Sequence, residues 1–136
     1  MPASIANYAP FRRFGNLIFV SGQVPVVDGS VSPAGMVPND VSVEEAREGA
    51  RRCALQILSI ARLACGGRLD RVRSVVRVEG FVRSAPAFDR QPLVIDAASD
   101  LLIEVFGDRG RHSRIAVGAA ELPRGAAVEI AAIIGI

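Results

Sequence analysis

The chain has 136 residues, half of them apolar, and its 16 basic and 14 acidic side chains leave a formal net charge of +2. This is the length of one domain, so residues 1–136 are predicted to form a single unit. Every basic residue is an arginine, which excludes a lysine Schiff base, and one histidine with two cysteines is too few for a zinc cluster, so we expect neither metal nor cofactor. No apolar run reaches the roughly 18 residues of a membrane span and no signal peptide is visible, so the protein is expected to be cytoplasmic.

The first half of the chain predicts a hairpin, a loop and a long helix. Residues 10–15 and 16–21 are typical of two short strands that meet near Gly15-Asn16, and the Pro- and Gly-rich residues 25–41 should form a loop. Ser42-x-x-Glu45 is a capping box, and apolar residues recur at helical spacing until Gly66-Gly67 ends the helix. Both cysteines lie on or near this helix and are expected to fill the core.

The second half predicts three strands and one more helix. Residues 71–83 alternate between a valine phase and a charged phase, which predicts a strand with one buried face formed by Val72, Val76, Val78 and Val82. A helix is expected from Pro92 to Phe106, and strands at 113–119 and 126–134. The order β-β-α-β-α-β-β indicates an α+β sandwich in which both helices cover one face of the sheet.

The last two predicted strands carry a pair of opposite charges. Arg114 precedes the apolar stretch of the first strand, the strands are joined at Leu122-Pro123, and Glu129 lies between two apolar residues of the second. A guanidinium binds a carboxylate through two parallel hydrogen bonds, and a charge beside a core is costly unless it is paired or used. The pattern fits a site for a small-molecule acid, and it fits an interstrand salt bridge equally well.

Five features occur in an order that resembles the RidA family, also called YjgF, of reactive-imine deaminases. Tyr8 stands thirteen residues before Ser21, and Arg114 stands eight before Leu122-Pro123. The other three are Gly15-Asn16, Ser21-Gly22-Gln23-x-Pro25 and Val128-Glu129-Ile130. The resemblance implies a chorismate-mutase-like fold, a homotrimer with a cleft at each subunit interface, and hydrolysis of 2-imino or 2-enamino acids without a cofactor.

The resemblance also implies roles for individual residues. Arg114 would hold the substrate carboxylate, Glu129 would position or activate water, Tyr8 would reach the substrate across the interface, and Ser21 with Gly22 would line the pocket. Each has a structural alternative: Glu129 pairing with Arg114 or with an interface arginine, Tyr8 anchoring the N-terminal segment, and Ser21 capping a strand end.

The chain departs from the family pattern near the arginine. Ile115 stands where serine or threonine is common, Ala116 stands where active members often have cysteine, and the asparagine of the second helix has only Asp96 and Ser99 as nearby polar candidates. These changes favour a second hypothesis, a non-catalytic trimer that binds small carboxylates. A ribonuclease role is disfavoured, because the chain has only one histidine and its arginines alternate with acids, so nucleic acid is not an expected partner.

Overall fold

A computed structural model of the chain describes residues 6–136. The N-terminal hairpin consists of β1 (Phe11–Phe14) and β2 (Leu17–Gln23), which turn at Gly15 with a positive φ of 61°. The region predicted to be loop contains a small hairpin of its own, β3 (Val26–Val27) paired with β4 (Ser30–Val31).

The first helix, α1 (Val43–Ala64), begins at the predicted capping residue. The Ser42 side chain accepts a hydrogen bond from the backbone N–H of Glu45 at 3.1 Å, which supplies a partner for a group at the helix start. Cys53 and Cys65 are buried free thiols, as expected of core residues. Burial is the main cause that raises the pKa of the Cys53 thiol far above its ordinary value, so this cysteine is not a nucleophile.

The long strand β5 (Ser74–Arg83) corrects one prediction about the valines. Val78 and Val82 are buried as expected, but Val76 is 41% exposed and Val75 is buried in its place. The pairing of β5 with the last strand shifts register between Val75 and Arg77. Such a bulge adds a residue and reverses the alternation of faces on one side of it.

The remaining elements are α2 (Gln91–Phe106), β6 (Ser113–Ala119) and β7 (Val128–Gly135). The five-stranded sheet has the order β1-β2-β7-β5-β6, with β6 parallel to β5 and the other neighbours antiparallel. The α+β architecture with a mixed sheet is therefore confirmed. The last two strands are not neighbours, however, because β5 lies between them.

The two faces of the sheet differ in what covers them. Both helices pack on one face, where Ile18, Val78, Val82, Ile130 and Ile134 are fully buried. The opposite face has no covering element among residues 6–136, and it carries large apolar side chains that are partly exposed: Phe19, Ile115 and Val117. No helix in this part of the chain is long and apolar enough to cross a membrane.

Candidate active site

Arg114 lies on the helix-covered side of β6, opposite Val78 of β5. Its Nη1 donates to Asp96 Oδ1 at 2.8 Å and to Ser99 Oγ at 3.1 Å, both on α2, and Nη2 lies 3.5 Å from the Pro92 carbonyl oxygen. The side chain remains 22% exposed, and Nε has no acceptor among residues 6–136. The guanidinium is thus held from one side by α2 and keeps an edge on which a carboxylate can bind.

Ser99 is part of a hydrogen-bonded relay that also contains His112 and the backbone carbonyl of Gly110. Ser99 Oγ is 2.8 Å from His112 Nε2, and His112 Nδ1 is 2.6 Å from the carbonyl oxygen of Gly110. A carbonyl only accepts, so Nδ1 donates to Gly110, while Ser99 Oγ and Nε2 share the second hydrogen bond. The serine oxygen also accepts from Arg114 Nη1, so His112 and Arg114 both contact the same hydroxyl group.

The contribution of His112 was missed in the sequence, where the single histidine was counted as too few for a zinc cluster or a ribonuclease site. The spacing could have indicated this role, because His112 lies two residues before Arg114 and alternate residues of an extended chain point to the same side. Asp96 and Ser99, the two polar candidates for the place of the family asparagine, are both in contact with Arg114.

A surface pocket of about 190 Å³ lies beside these residues, and it is lined by Ser99, Ile103, Arg111, His112 and Arg114.

A second group of predicted residues is positioned by a bulge in β2. The register between β2 and β7 shifts between Val20 and Gln23, which leaves Ser21 and Gly22 outside the regular ladder. The Ser21 hydroxyl donates to the carbonyl oxygen of Ala9 at 2.6 Å, so it ties the N-terminal segment to the strand. Tyr8 lies in that segment and is 48% exposed.

Glu129 lies directly against the bulge. A Cβ atom at position 22 would lie 2.3 Å from Glu129 Oε1, so glycine is required there for the carboxyl group to keep its place. Burial raises the pKa of the Glu129 carboxyl above its ordinary value. A half-buried carboxyl with a raised pKa is a better proton donor-acceptor partner for water than an ordinary surface carboxylate.

The structure does not bring Arg114 and Glu129 together within one chain. Arg114 pairs with Val78 and Glu129 with Phe81 on the same strand, β5, and residues three apart on a strand point to opposite faces. The interstrand salt bridge considered from the sequence is therefore wrong, and the partner of Arg114 is Asp96. The site residues form two separate groups, an arginine group (Asp96, Ser99, His112, Arg114) and a glutamate group (Ser21, Gly22, Glu129), and Tyr8 lies in the segment that Ser21 holds.

The residues that depart from the family pattern lie on different sides of β6. Ala116 is opposite Gly80 on the Arg114 side, whereas Ile115 is opposite Glu79 on the open face.

A larger pocket of about 490 Å³, lined in part by Ser84, Gln91 and Gly118, contains none of the predicted site residues. Within residues 6–136, no group of three or more histidine, cysteine or acidic side chains is placed to hold a metal ion.

The raised pKa of Glu129 predicts a pH-dependent effect of Glu129→Gln on stability. The folded state binds the proton more tightly than the unfolded state, so the parent loses stability as pH rises from the unfolded pKa through the folded one. Glutamine does not titrate, so the variant should match the parent near pH 4 and melt at a higher temperature near pH 7. Thermal unfolding across this range measures the difference, with the exposed Glu48→Gln as control. A less stable variant at pH 7 would instead indicate that the ionised carboxylate is paired with an arginine of a neighbouring subunit.

Comparisons with known proteins support one family. A family model described as "YjgF/chorismate mutase-like, putative endoribonuclease" matches residues 1–131. Protein TCP17 of Trypanosoma cruzi is 44% identical over an alignment of 138 residues, which covers 98% of this chain and 86% of TCP17. The crystal structure of Atu1372 from Agrobacterium tumefaciens, a protein of unknown function, is 47% identical with a TM-score of 0.94, over 96% of this chain and 82% of that one. A structure from Shewanella oneidensis MR-1, described as a putative endoribonuclease, is 30% identical with a TM-score of 0.95, over 99% and 89% of the two chains.

Proposed function

Because the chain belongs to the YjgF/RidA family, whose model matches residues 1–131, we propose that it hydrolyses 2-imino and 2-enamino acids to 2-keto acids and ammonia. The observation that carries the proposal is the Arg114 guanidinium, fixed by Asp96 and Ser99 with its Nε edge open. A pre-oriented fork of this kind binds a carboxylate with little loss of side-chain entropy.

Glu129 supplies the acid–base chemistry in this proposal. Water adds to the carbon of the protonated imine while one of its protons passes to the Glu129 carboxylate, which gives a carbinolamine. The Glu129 carboxyl returns this proton to the nitrogen, the carbon–nitrogen bond breaks to release ammonia, and the hydroxyl proton is lost as the keto group forms. The raised pKa of the carboxyl group favours both proton transfers. Free imines hydrolyse slowly without a catalyst, so orientation and one proton-transfer group are sufficient.

In this proposal the site is shared between two copies of the chain. The arginine group and the glutamate group lie on opposite faces of the sheet, so one subunit would provide the arginine and its neighbour the glutamate. Tyr8 would contribute its hydroxyl beside the glutamate group, where Ser21 holds its segment. The uncovered face, with Phe19, Ile115 and Val117 partly exposed, offers the apolar surface that such an assembly buries.

A second candidate function is a trimer that binds small carboxylates without turning them over. The ion pair between Arg114 and Asp96 favours it, since it already satisfies part of the guanidinium, and Ala116 offers no reactive side chain. Ribonuclease activity is not expected from this site, because both ring nitrogens of His112 are engaged by Ser99 and Gly110.

The direct test is a coupled assay in which an amino-acid oxidase generates imines from a series of amino acids. The proposal expects the protein to accelerate the disappearance of the imine and the release of ammonia, with a clear preference among the side chains. Unchanged imine decay, together with measurable binding of small acids, would establish the binding function instead.

The interfacial site predicts a homotrimer in solution. Sedimentation equilibrium at micromolar concentration should give a mass of about 43 kDa, three times the 14.4 kDa of the chain. An interface that covers an apolar sheet face should persist at these concentrations. A single species at the mass of one chain would contradict the shared site.

A further inference from the structure

Asp96 places a negative charge directly beside the proposed carboxylate anchor. Its Oδ1 is 2.8 Å from Arg114 Nη1, and its side chain is 47% exposed. The second oxygen, Oδ2, accepts no hydrogen bond from residues 6–136. A ligand carboxylate on the open Nε edge of Arg114 would share this guanidinium with Asp96, whose Oδ2 has remaining acceptor capacity.

The positions of the two charges are fixed by more than their mutual attraction. Asp96 and Ser99 lie on one side of α2, and Ser99 is itself held by His112, which donates to Gly110. Arg114 thus has a second α2 contact that does not depend on Asp96. Ligand binding to Arg114 consequently need not displace Asp96, and the two charges remain side by side.

The surrounding charges do not mask this pair. Arg111, the other guanidinium beside the pocket, lies 3.4 Å from Asp108 in an exposed ion pair. Both ring nitrogens of His112 are engaged, by Ser99 and by Gly110, so neither is free to bind Asp96. Asp96 and Arg114 therefore form a local plus–minus pair.

We propose that Asp96 is a specificity-determining residue, which makes the Arg114 site select carboxylates that carry an adjacent cationic nitrogen over carboxylates that are only anionic. The proposal rests on the proposed function for the binding of the ligand carboxylate to Arg114. The cationic nitrogen donates to Asp96 Oδ2 while the carboxylate accepts from Arg114, so both charges of the ligand are matched. A simple anion gains the same contact with Arg114 but is repelled by Asp96. The substrate class is accordingly the protonated 2-iminio acid, a zwitterion and the form that water attacks most readily.

The test uses two ligands of nearly equal shape, L-alanine as the zwitterion and L-lactate as the anion. Their affinities are measured by isothermal titration calorimetry on the parent protein and on Asp96→Asn, which keeps the size of the side chain and removes its charge. Asp100→Asn on the same helix is the matched control, because it makes the same charge change at an exposed position that lines a different pocket, next to α1. Thermal unfolding verifies that each variant is folded.

The parent should bind alanine about tenfold more tightly than lactate, the ratio expected from one charge-assisted hydrogen bond. In Asp96→Asn this preference should fall to about twofold or less, through weaker alanine binding and tighter lactate binding, while Asp100→Asn should keep the parental ratio. Equal binding of both ligands to the parent, an unchanged ratio in Asp96→Asn, or no binding of either ligand at millimolar concentration overturns the proposal.

The outcome is separate from the test of catalysis. A protein that selects alanine over lactate through Asp96 but leaves imines unhydrolysed retains the specificity and loses the deaminase function. A protein that hydrolyses imines without this selectivity keeps the function and refutes the role of Asp96.

Discussion

Arg114→Ala should abolish imine hydrolysis while the protein stays folded. Removing one partner of a charged hydrogen-bond pair at a binding site costs about 2–5 kcal/mol, which corresponds to roughly thirtyfold to several thousandfold in affinity. The effect on folding should be small, because the Arg114–Asp96 pair is partly exposed and such pairs contribute no more than about 1 kcal/mol. Steady-state rates on 2-iminopropionate-type substrates, with circular dichroism and sedimentation as folding checks, measure both effects.

Two further variants sharpen this measurement. Arg114→Lys should recover little activity, because an ammonium group cannot reproduce the two parallel hydrogen bonds of the guanidinium. Arg51→Ala removes an arginine on α1 that lies 4.0 Å from Glu104, and it should keep the parental rate. If Arg114→Ala hydrolyses imines as fast as the parent, Arg114 does not anchor the substrate.

Two inactive variants should restore activity when they assemble together. Arg114→Ala removes the anchor and Glu129→Gln removes the proton-transfer group, and the two residues lie on opposite sheet faces of each chain. If each site takes its arginine from one subunit and its glutamate from the next, every mixed trimer contains one intact site. With equal amounts and random assembly, about three quarters of the trimers are mixed, so the preparation should recover about a quarter of the parental rate.

The co-assembled preparation is made by refolding or co-expressing the two variants, and separately folded variants mixed just before the assay serve as control. A rate equal to the mean of the two variants would show that one chain supplies both residues. That result would refute the interfacial site even if the protein is a trimer.

Local signals in the sequence predicted the two helices and the five strands of the main sheet, but not the small β3–β4 hairpin. The capping serine at Ser42 and the glycines at 66 and 67 bracketed α1, and the family resemblance implied the chorismate-mutase-like fold, which the match over residues 1–131 confirms. Errors arose where pairing decides the outcome. Val76 was assigned to the buried face because alternation cannot reveal a bulge, which depends on the partner strand.

The same limit applied to the candidate site. The sequence placed Arg114 and Glu129 on consecutive strands, and consecutive strands are often neighbours, which made a salt bridge between them a reasonable alternative. The insertion of β5 between β6 and β7 is a long-range feature that no local pattern encodes. The contacts of Asp96 with Arg114 and of His112 with Ser99 were hidden for a similar reason, since they depend on how α2 lies across β6.

The turn that precedes β6 has a consequence for comparing related sequences. Gly110 is buried against α2, and a Cβ atom there would lie 2.3 Å from the backbone oxygen of Leu102, which a side-chain rotation cannot relieve. Its carbonyl oxygen also accepts from His112, so the position couples the end of the helix to the orientation of the relay. In relatives that share this short connection, glycine should be retained at position 110 even where the histidine has been replaced. In an alignment, a glycine at position 110 would then indicate that the turn has this geometry. A histidine at position 112 would indicate that the turn also helps to hold Arg114 through Ser99.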